Sequence, residues 1–181
     1  MGLGLGLAAR EDPAAAAGYS TAILLRHAEK DAAGDPKDPS LSPAGKERAR
    51  ALAKLLGRAG STHLFASEYR RTRETLAPLA EARSLEVQVV PAAELARLAE
   101  RIRALPAGSV SVVAGHSNTV PAIAKALGAT LGDLLDAPGG ATLRDDEYAR
   151  LFVVALRAAP TPGGEKAAKP EAHAVELAYG A

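Results

Sequence analysis

The chain contains no cysteine among its 181 residues. That absence excludes disulfides, zinc–thiolate sites, iron–sulfur clusters and thiolate nucleophiles together. Tryptophan is also missing, and aromatic residues amount to 3%. A core must therefore be aliphatic, and an apolar fraction of 48% supplies enough for one folded domain. Charge of one sign is not in excess: 22 basic residues stand against 21 acidic ones, for a net charge of +1. That balance demands neither nucleic acid nor an anionic membrane as partner, so any positive charge that matters is local. No apolar run approaches the ~20 residues that span a bilayer.

Residues 1–20, MGLGLGLAAREDPAAAAGYS, read as a flexible low-complexity leader. The alternative is a signal-peptide remnant, since GLGLGLAA is apolar and ends in small residues, although no basic stretch precedes it. The location is accordingly cytoplasmic, or exported if the leader is a trimmed signal. Residues 21–181 read as a single domain.

Strands and helices alternate along that domain. Residues 21–25 form an apolar strand. An Asp/Gly/Pro-rich loop at 31–40 precedes a helix with Ser42 as N-cap and Pro43 at its first position. A strand at 63–66 is followed by an arginine-rich helix at 68–77. A third strand at 85–90, a helix at 93–105, a fourth strand at 109–114 and a short helix at 121–127 come next. A strand at 151–156, a Pro/Gly/Lys linker at 160–170 and an edge strand at 174–179 complete the chain. This order predicts a three-layer α/β/α sandwich with a mainly parallel sheet and right-handed crossovers.

Ligands of such sheets collect at the carboxyl ends of the strands. Arg26, His27 and Glu29 follow the first strand. Ser67, Arg70 and Arg71 follow the second, Glu94 the third, and His116, Ser117, Asn118 and Thr119 the fourth. Guanidinium forks beside imidazoles suit a tetrahedral oxyanion such as phosphate. The helix that begins near Pro121 adds backbone N–H donors for the same group. A neutral histidine attacks phosphorus, arginines stabilise the developing charge, a carboxylic acid protonates the leaving oxygen, and no metal is required.

The motifs resemble those of the histidine phosphatase superfamily, the phosphoglycerate mutase-like fold. Arg26-His27-Ala28-Glu29 is similar to its R-H-G or R-H-A signature, and Leu41-Ser42-Pro43-Ala44-Gly45 to its L-T-x-x-G helix entry. The segment from Ser67 to Thr75 resembles S-x-L-x-R-A-x-Q-T, with Tyr69, Thr72 and Glu74 as departures. Gly115-His116-Ser117-Asn118 resembles the element that carries the second histidine. The resemblance covers roughly residues 21–128, and four short motifs in family order make it specific. It implies that His27 is the phosphorylated nucleophile, that Arg26 and Arg71 hold the phosphoryl group, and that His116 hydrogen-bonds it, with Ser117 and Asn118 beside it. Glu94 is the nearest match to the family's proton donor, with Asp31, Asp35 and Asp38 as competitors. No cofactor is implied. The chain has little room for the lid of the mutases, which favours a phosphatase near the small phosphohistidine phosphatases.

The expected activity is metal-independent hydrolysis of phosphomonoesters or phosphohistidine. The expected partner is a small phosphate ester or a phosphoprotein, with no nucleic acid and no membrane span. The alternatives are a catalytically weak phosphate-binding domain of the same fold, a mutase-type phosphoryl transferase, and a metal hydrolase on His27 and His116. Asp145, Asp146 and Glu147 read as a solvated turn, Lys30 as a loop charge, and Arg70 and Arg73 as a solvated helix face.

Overall fold

The structure, a computed structural model, describes residues 18–157 and 172–180. The linker at 160–170 and residues 1–17 of the expected leader lie outside the described residues. Residues 19 and 20, placed in the leader by sequence, already belong to the first strand, where Ser20 is buried.

Strand β1 spans Tyr19–Arg26, followed by α1 (Pro43–Leu56), β2 (His63–Ala66), α2 (Arg70–Arg83), β3 (Val87–Val89), α3 (Leu95–Arg103), β4 (Val110–Gly115) and α4 (Thr119–Ala126). A small hairpin of β5 (Leu135–Ala137) and β6 (Gly140–Thr142), not foreseen from sequence, precedes β7 (Arg150–Arg157) and β8 (Ala172–Ala178). The main sheet has the order β3-β2-β4-β1-β7-β8. The β3–β2, β2–β4 and β4–β1 pairs are parallel, and β7 runs against both β1 and β8. The expected edge strand is β8.

Side-chain alternation splits the core between the two sheet faces. Ala22, Leu24, Val113, Phe152 and Val154 pack with Leu98 and Ile102 of α3, Ile123 of α4 and Leu127 just after it. Ile23, Leu25, Leu64, Val112 and Ala114 pack with Leu52, Leu56, Leu76 and Leu79 of α1 and α2. This is a three-layer α/β/α sandwich. Helix α1 starts where the sequence places it: Pro43 opens it, and the Gly45 N–H donates to Ser42 Oγ at 3.1 Å. Gly45 itself is required by contact, since a Cβ there would stand 2.2 Å from the carbonyl oxygen of Glu29.

The register aligns the strand ends that matter. Arg26 pairs with Gly115, and Ala66 with Ala114. His27, Ser67 and His116 therefore leave the sheet side by side. The His27 N–H continues the ladder by donating to the Gly115 carbonyl at 2.9 Å.

Candidate active site

The strand ends open into a cleft of about 600 Å³. Arg26, His27, Arg71, His116, Ser117 and Asn118 all line it, as do Glu68, Tyr69 and Asp145. Sequence reasoning placed the first six together.

His27 is almost wholly buried at 4% exposure. Its Nδ1 lies 2.7 Å from the Ala28 carbonyl oxygen, a contact that only a protonated Nδ1 makes as a hydrogen bond. The neutral ring then carries its lone pair on Nε2. Burial first, then the charges of Arg26, His116 and Arg71, push the His27 pKa down to about 3, against the opposing carbonyl contact. The Ala28 N–H is tied to Thr75 Oγ1 at 2.9 Å, and Thr75 donates to the Arg71 carbonyl at 2.7 Å. This relay links the loop after His27 to the helix that carries Arg71.

His116 follows Gly115, where a Cβ would stand 2.7 Å from Thr119 Oγ1. That oxygen is occupied: it accepts the His116 N–H at 2.7 Å and fixes the turn into α4. The His116 ring is held at Nε2 by Ser67 Oγ at 3.0 Å, and Ser67 contacts Thr72 Oγ1 at 2.9 Å. Thr72 in turn donates to the Tyr69 carbonyl at 2.8 Å. A chain of donors running from Nε2–H outwards satisfies each hydroxyl once and leaves a lone pair on Nδ1, which faces Arg71 Nη2 at 3.4 Å. Burial, then Arg71, lowers the His116 pKa to about 4, with Glu68 opposing and Arg26 adding.

Arg26 is buried, and its Nη1 donates to the carbonyls of Arg144 and Asp145 at 2.9 Å each. Its guanidinium lies 4.3 Å from the Tyr148 ring centre, and its Nε has no partner among the described residues. Arg71 stacks on Tyr69 at 4.4 Å and lies 3.9 Å from Asp38. The two arginines are thus stiffened by tyrosines.

Several expectations fall elsewhere. Glu94 does not line the cleft: its carboxylate turns to Arg97 at 2.8 Å, because it sits at the start of α3 one turn before that arginine. Of the acidic loop residues, Asp38 accepts the Arg70 N–H at 2.8 Å, while Asp31 and Asp35 bond within their own loop. Glu29 is a structural ion-pair partner, meeting Arg48 at 2.7 Å. Arg48 also donates to the carbonyls of Tyr179, at 3.0 Å, and Gly180. Lys30 lines the cleft after all. The turn at 145–147, read as solvated, does expose the side chains of Asp145 and Asp146, while the carbonyls of Arg144 and Asp145 hold Arg26. Sequence reasoning missed Tyr148 and Glu68. Glu68 directly follows Ser67 at a strand end, which is signal enough to have found it; a backbone carbonyl that receives an arginine leaves no trace in a sequence.

A family model described as histidine phosphatase superfamily (branch 1) matches residues 22–101. The fold and the strand-end placement of the motifs agree with that match. Over residues 22–101 the chain is similar to the histidine phosphatase superfamily. The match ends before His116, so the place of the second histidine rests on the geometry. Among solved structures, one from Nakamurella multipartitia named for the phosphohistidine phosphatase SixA is 26% identical, with a TM-score of 0.52 over 78% of this chain and 87% of that one. A mycobacterial glucosyl-3-phosphoglycerate phosphatase is 19% identical, with a TM-score of 0.53 over 76% and 91%. Bacillus stearothermophilus YhfR is 14% identical, with a TM-score of 0.58 over 75% and 90%. The last two share the phosphoglycerate mutase-like fold with this chain. No curated protein sequence matches it. Among the described residues no helix is long and apolar enough to cross a membrane, and no group of three or more His, Asp or Glu side chains is placed to hold a metal ion.

Proposed function

We propose that the protein is a phosphatase that hydrolyses phosphomonoesters or phosphohistidine through a phosphoryl group carried on His27 Nε2. The observation that carries this reading is the contact of His27 Nδ1 with the Ala28 carbonyl. It commits the neutral ring to an Nε2 lone pair beside two arginines and a second imidazole. Attack on phosphorus forms the N–P bond as the ester P–O bond breaks; water then cleaves N–P and releases phosphate. Arg26 and Arg71 hold the equatorial oxygens, His116 donates to one of them with Nδ1 protonated, the form that a bound anion favours, and Ser117 and Asn118 bring the first N–H groups of α4 to the group. The arginines supply the positive charge, so no metal and no cofactor is needed. Residues 21–181, together with residues 19 and 20 of β1, make up one such domain, and the leader precedes it.

A second reading, a phosphate-binding domain with negligible turnover, draws on one fact: Glu94, the expected acid, is engaged by Arg97. Hydrolysis of p-nitrophenyl phosphate in EDTA separates the two. The wild type is expected to turn over, to trap acid-labile phosphate on the protein, and to lose both with His27→Ala. Equal activity of the two proteins would remove His27 from its role. Silence of both would leave the binding domain.

A further inference from the structure

The reaction above needs a proton for its leaving oxygen, and the loop where sequence reasoning sought the donor does not supply it. The rim of the cleft between β3 and α3 consists of Ala92 and Ala93, which carry no acid. Across from them stands Glu68, two residues past the end of β2 at Ala66. Its Oε2 accepts the Ala92 N–H at 2.8 Å, so the carboxyl is fixed against that alanine rim. Among the described residues this is the carboxyl's one hydrogen bond, and Oε1 is left for a ligand.

We propose that Glu68 is the general acid of the site. The proposal rests on the phosphatase reading. In the first half-reaction the His27 Nε2 lone pair bonds to phosphorus, the P–O bond breaks, and the leaving oxygen takes the proton of the Glu68 carboxyl. In the second half-reaction the Glu68 carboxylate takes a proton from water as the water oxygen bonds to phosphorus. The N–P bond breaks, its electron pair returns to His27, and phosphate leaves with Glu68 protonated again. Position supports this assignment over the cleft's other carboxylate. The charge of Glu68 opposes the lowering of the His116 pKa, whereas Asp145 acts on neither histidine. Both side chains are exposed, but the Glu68 carboxylate is itself fixed by the Ala92 N–H, whereas it is the backbone carbonyl of Asp145 that serves Arg26.

The test compares Glu68→Gln with the wild type on two substrates in EDTA: p-nitrophenyl phosphate, whose nitrophenolate leaves without a proton, and glycerol phosphate, whose alkoxide does not. Glutamine keeps an oxygen for the Ala92 N–H and removes only the transferable proton. kcat/KM for glycerol phosphate is expected to fall about 10²-fold or more, while that for p-nitrophenyl phosphate changes little. Asp145→Asn and Glu94→Gln are expected to leave the ratio between the two substrates unmoved. Equal loss on both substrates would make Glu68 a mere latch on Ala92 and overturn the assignment, as would no loss on either. A shifted ratio in Asp145→Asn alone would move the role to Asp145. A wild type silent on both substrates refutes the phosphomonoesterase reading and the acid with it, whereas an active wild type with an unchanged ratio in Glu68→Gln refutes the acid alone.

Discussion

The low basicity of His27 makes the most demanding prediction. The folded pKa of about 3 lies below the ordinary value of 6.5. The unfolded chain therefore binds the extra proton, and stability falls as the pH drops from about 6.5 towards 3. At pH 5 an unfolded imidazole is almost wholly protonated, while the buried ring remains neutral. That difference amounts to about 2 kcal/mol of folding stability lost between neutral pH and pH 5. His116, lowered to about 4, acts in the same direction, but its ring is only partly buried and contributes less. The direct assay follows the Cε1–H resonances of the four histidines by NMR, with His27→Gln to assign its signal. The His27 resonance is expected to show no titration between pH 7 and pH 5, and kcat/KM to show no acid limb from the nucleophile in that interval. Denaturant midpoints measured over the same range should fall more steeply in the wild type than in His27→Gln. Inorganic phosphate should raise the titration midpoint, because a bound anion favours the protonated ring. A His27 midpoint between 6 and 7 in the free protein would show that burial and the neighbouring arginines do not hold the ring neutral.

Two further perturbations probe the scaffold. Gly45→Ala improves helix propensity by up to about 1 kcal/mol, yet it sets a methyl group 2.2 Å from a backbone carbonyl. A net loss of about 1–3 kcal/mol or more is expected in urea unfolding, and a variant as stable as the wild type would remove the close approach of α1 to residue 29. Arg150 donates to Glu176 at 2.6 Å, to Glu147 at 3.2 Å and to the carbonyls of Gly132 and Asp133 at 2.8 Å each. Arg150→Met is expected to cost stability near the lower end of the ~3–5 kcal/mol seen when one side of a buried ion pair is removed, since Glu176 is 43% exposed. Faster hydrogen exchange across residues 132–147 should accompany it, and an unchanged melting temperature would refute the role.

What the sequence made legible is what local chemistry determines. Ser42-Pro43 marks a helix start because the cap and the missing N–H are local needs. The apolar run at 21–25 marks a strand because both faces of a central strand are covered, and β1 indeed lies between β4 and β7. Once those elements are ordered, the strand-end rule brings Arg26, His27, Arg71 and His116 together without any distance being known. The same rule named Glu94, and it failed there for a local reason: an arginine one helical turn further on takes the carboxylate. The β5–β6 hairpin was missed because its strands are three residues long and largely exposed, so they carry no apolar pattern.

The contacts that tune the site are the least legible, because they are made by backbone. Arg26 shows why this matters. Its position after β1 is readable, but its aim is set by the carbonyls of residues 144 and 145 and by the face of Tyr148, far along the chain. Those residues lie in the segment that Arg150 holds to β7 and β8. With Nη1 occupied twice, the unpartnered Nε is a buried donor, and leaving such a group unpaired costs about 1–3 kcal/mol. In the proposed mechanism a phosphoryl oxygen at that nitrogen would recover this cost only if Arg26 kept its orientation. On the proposed reading the segment around 130–150 and the grip on phosphate are therefore coupled: loosening Arg150 would reach the anion through Arg144, Asp145 and Arg26, without any change in the residues that the motifs identify.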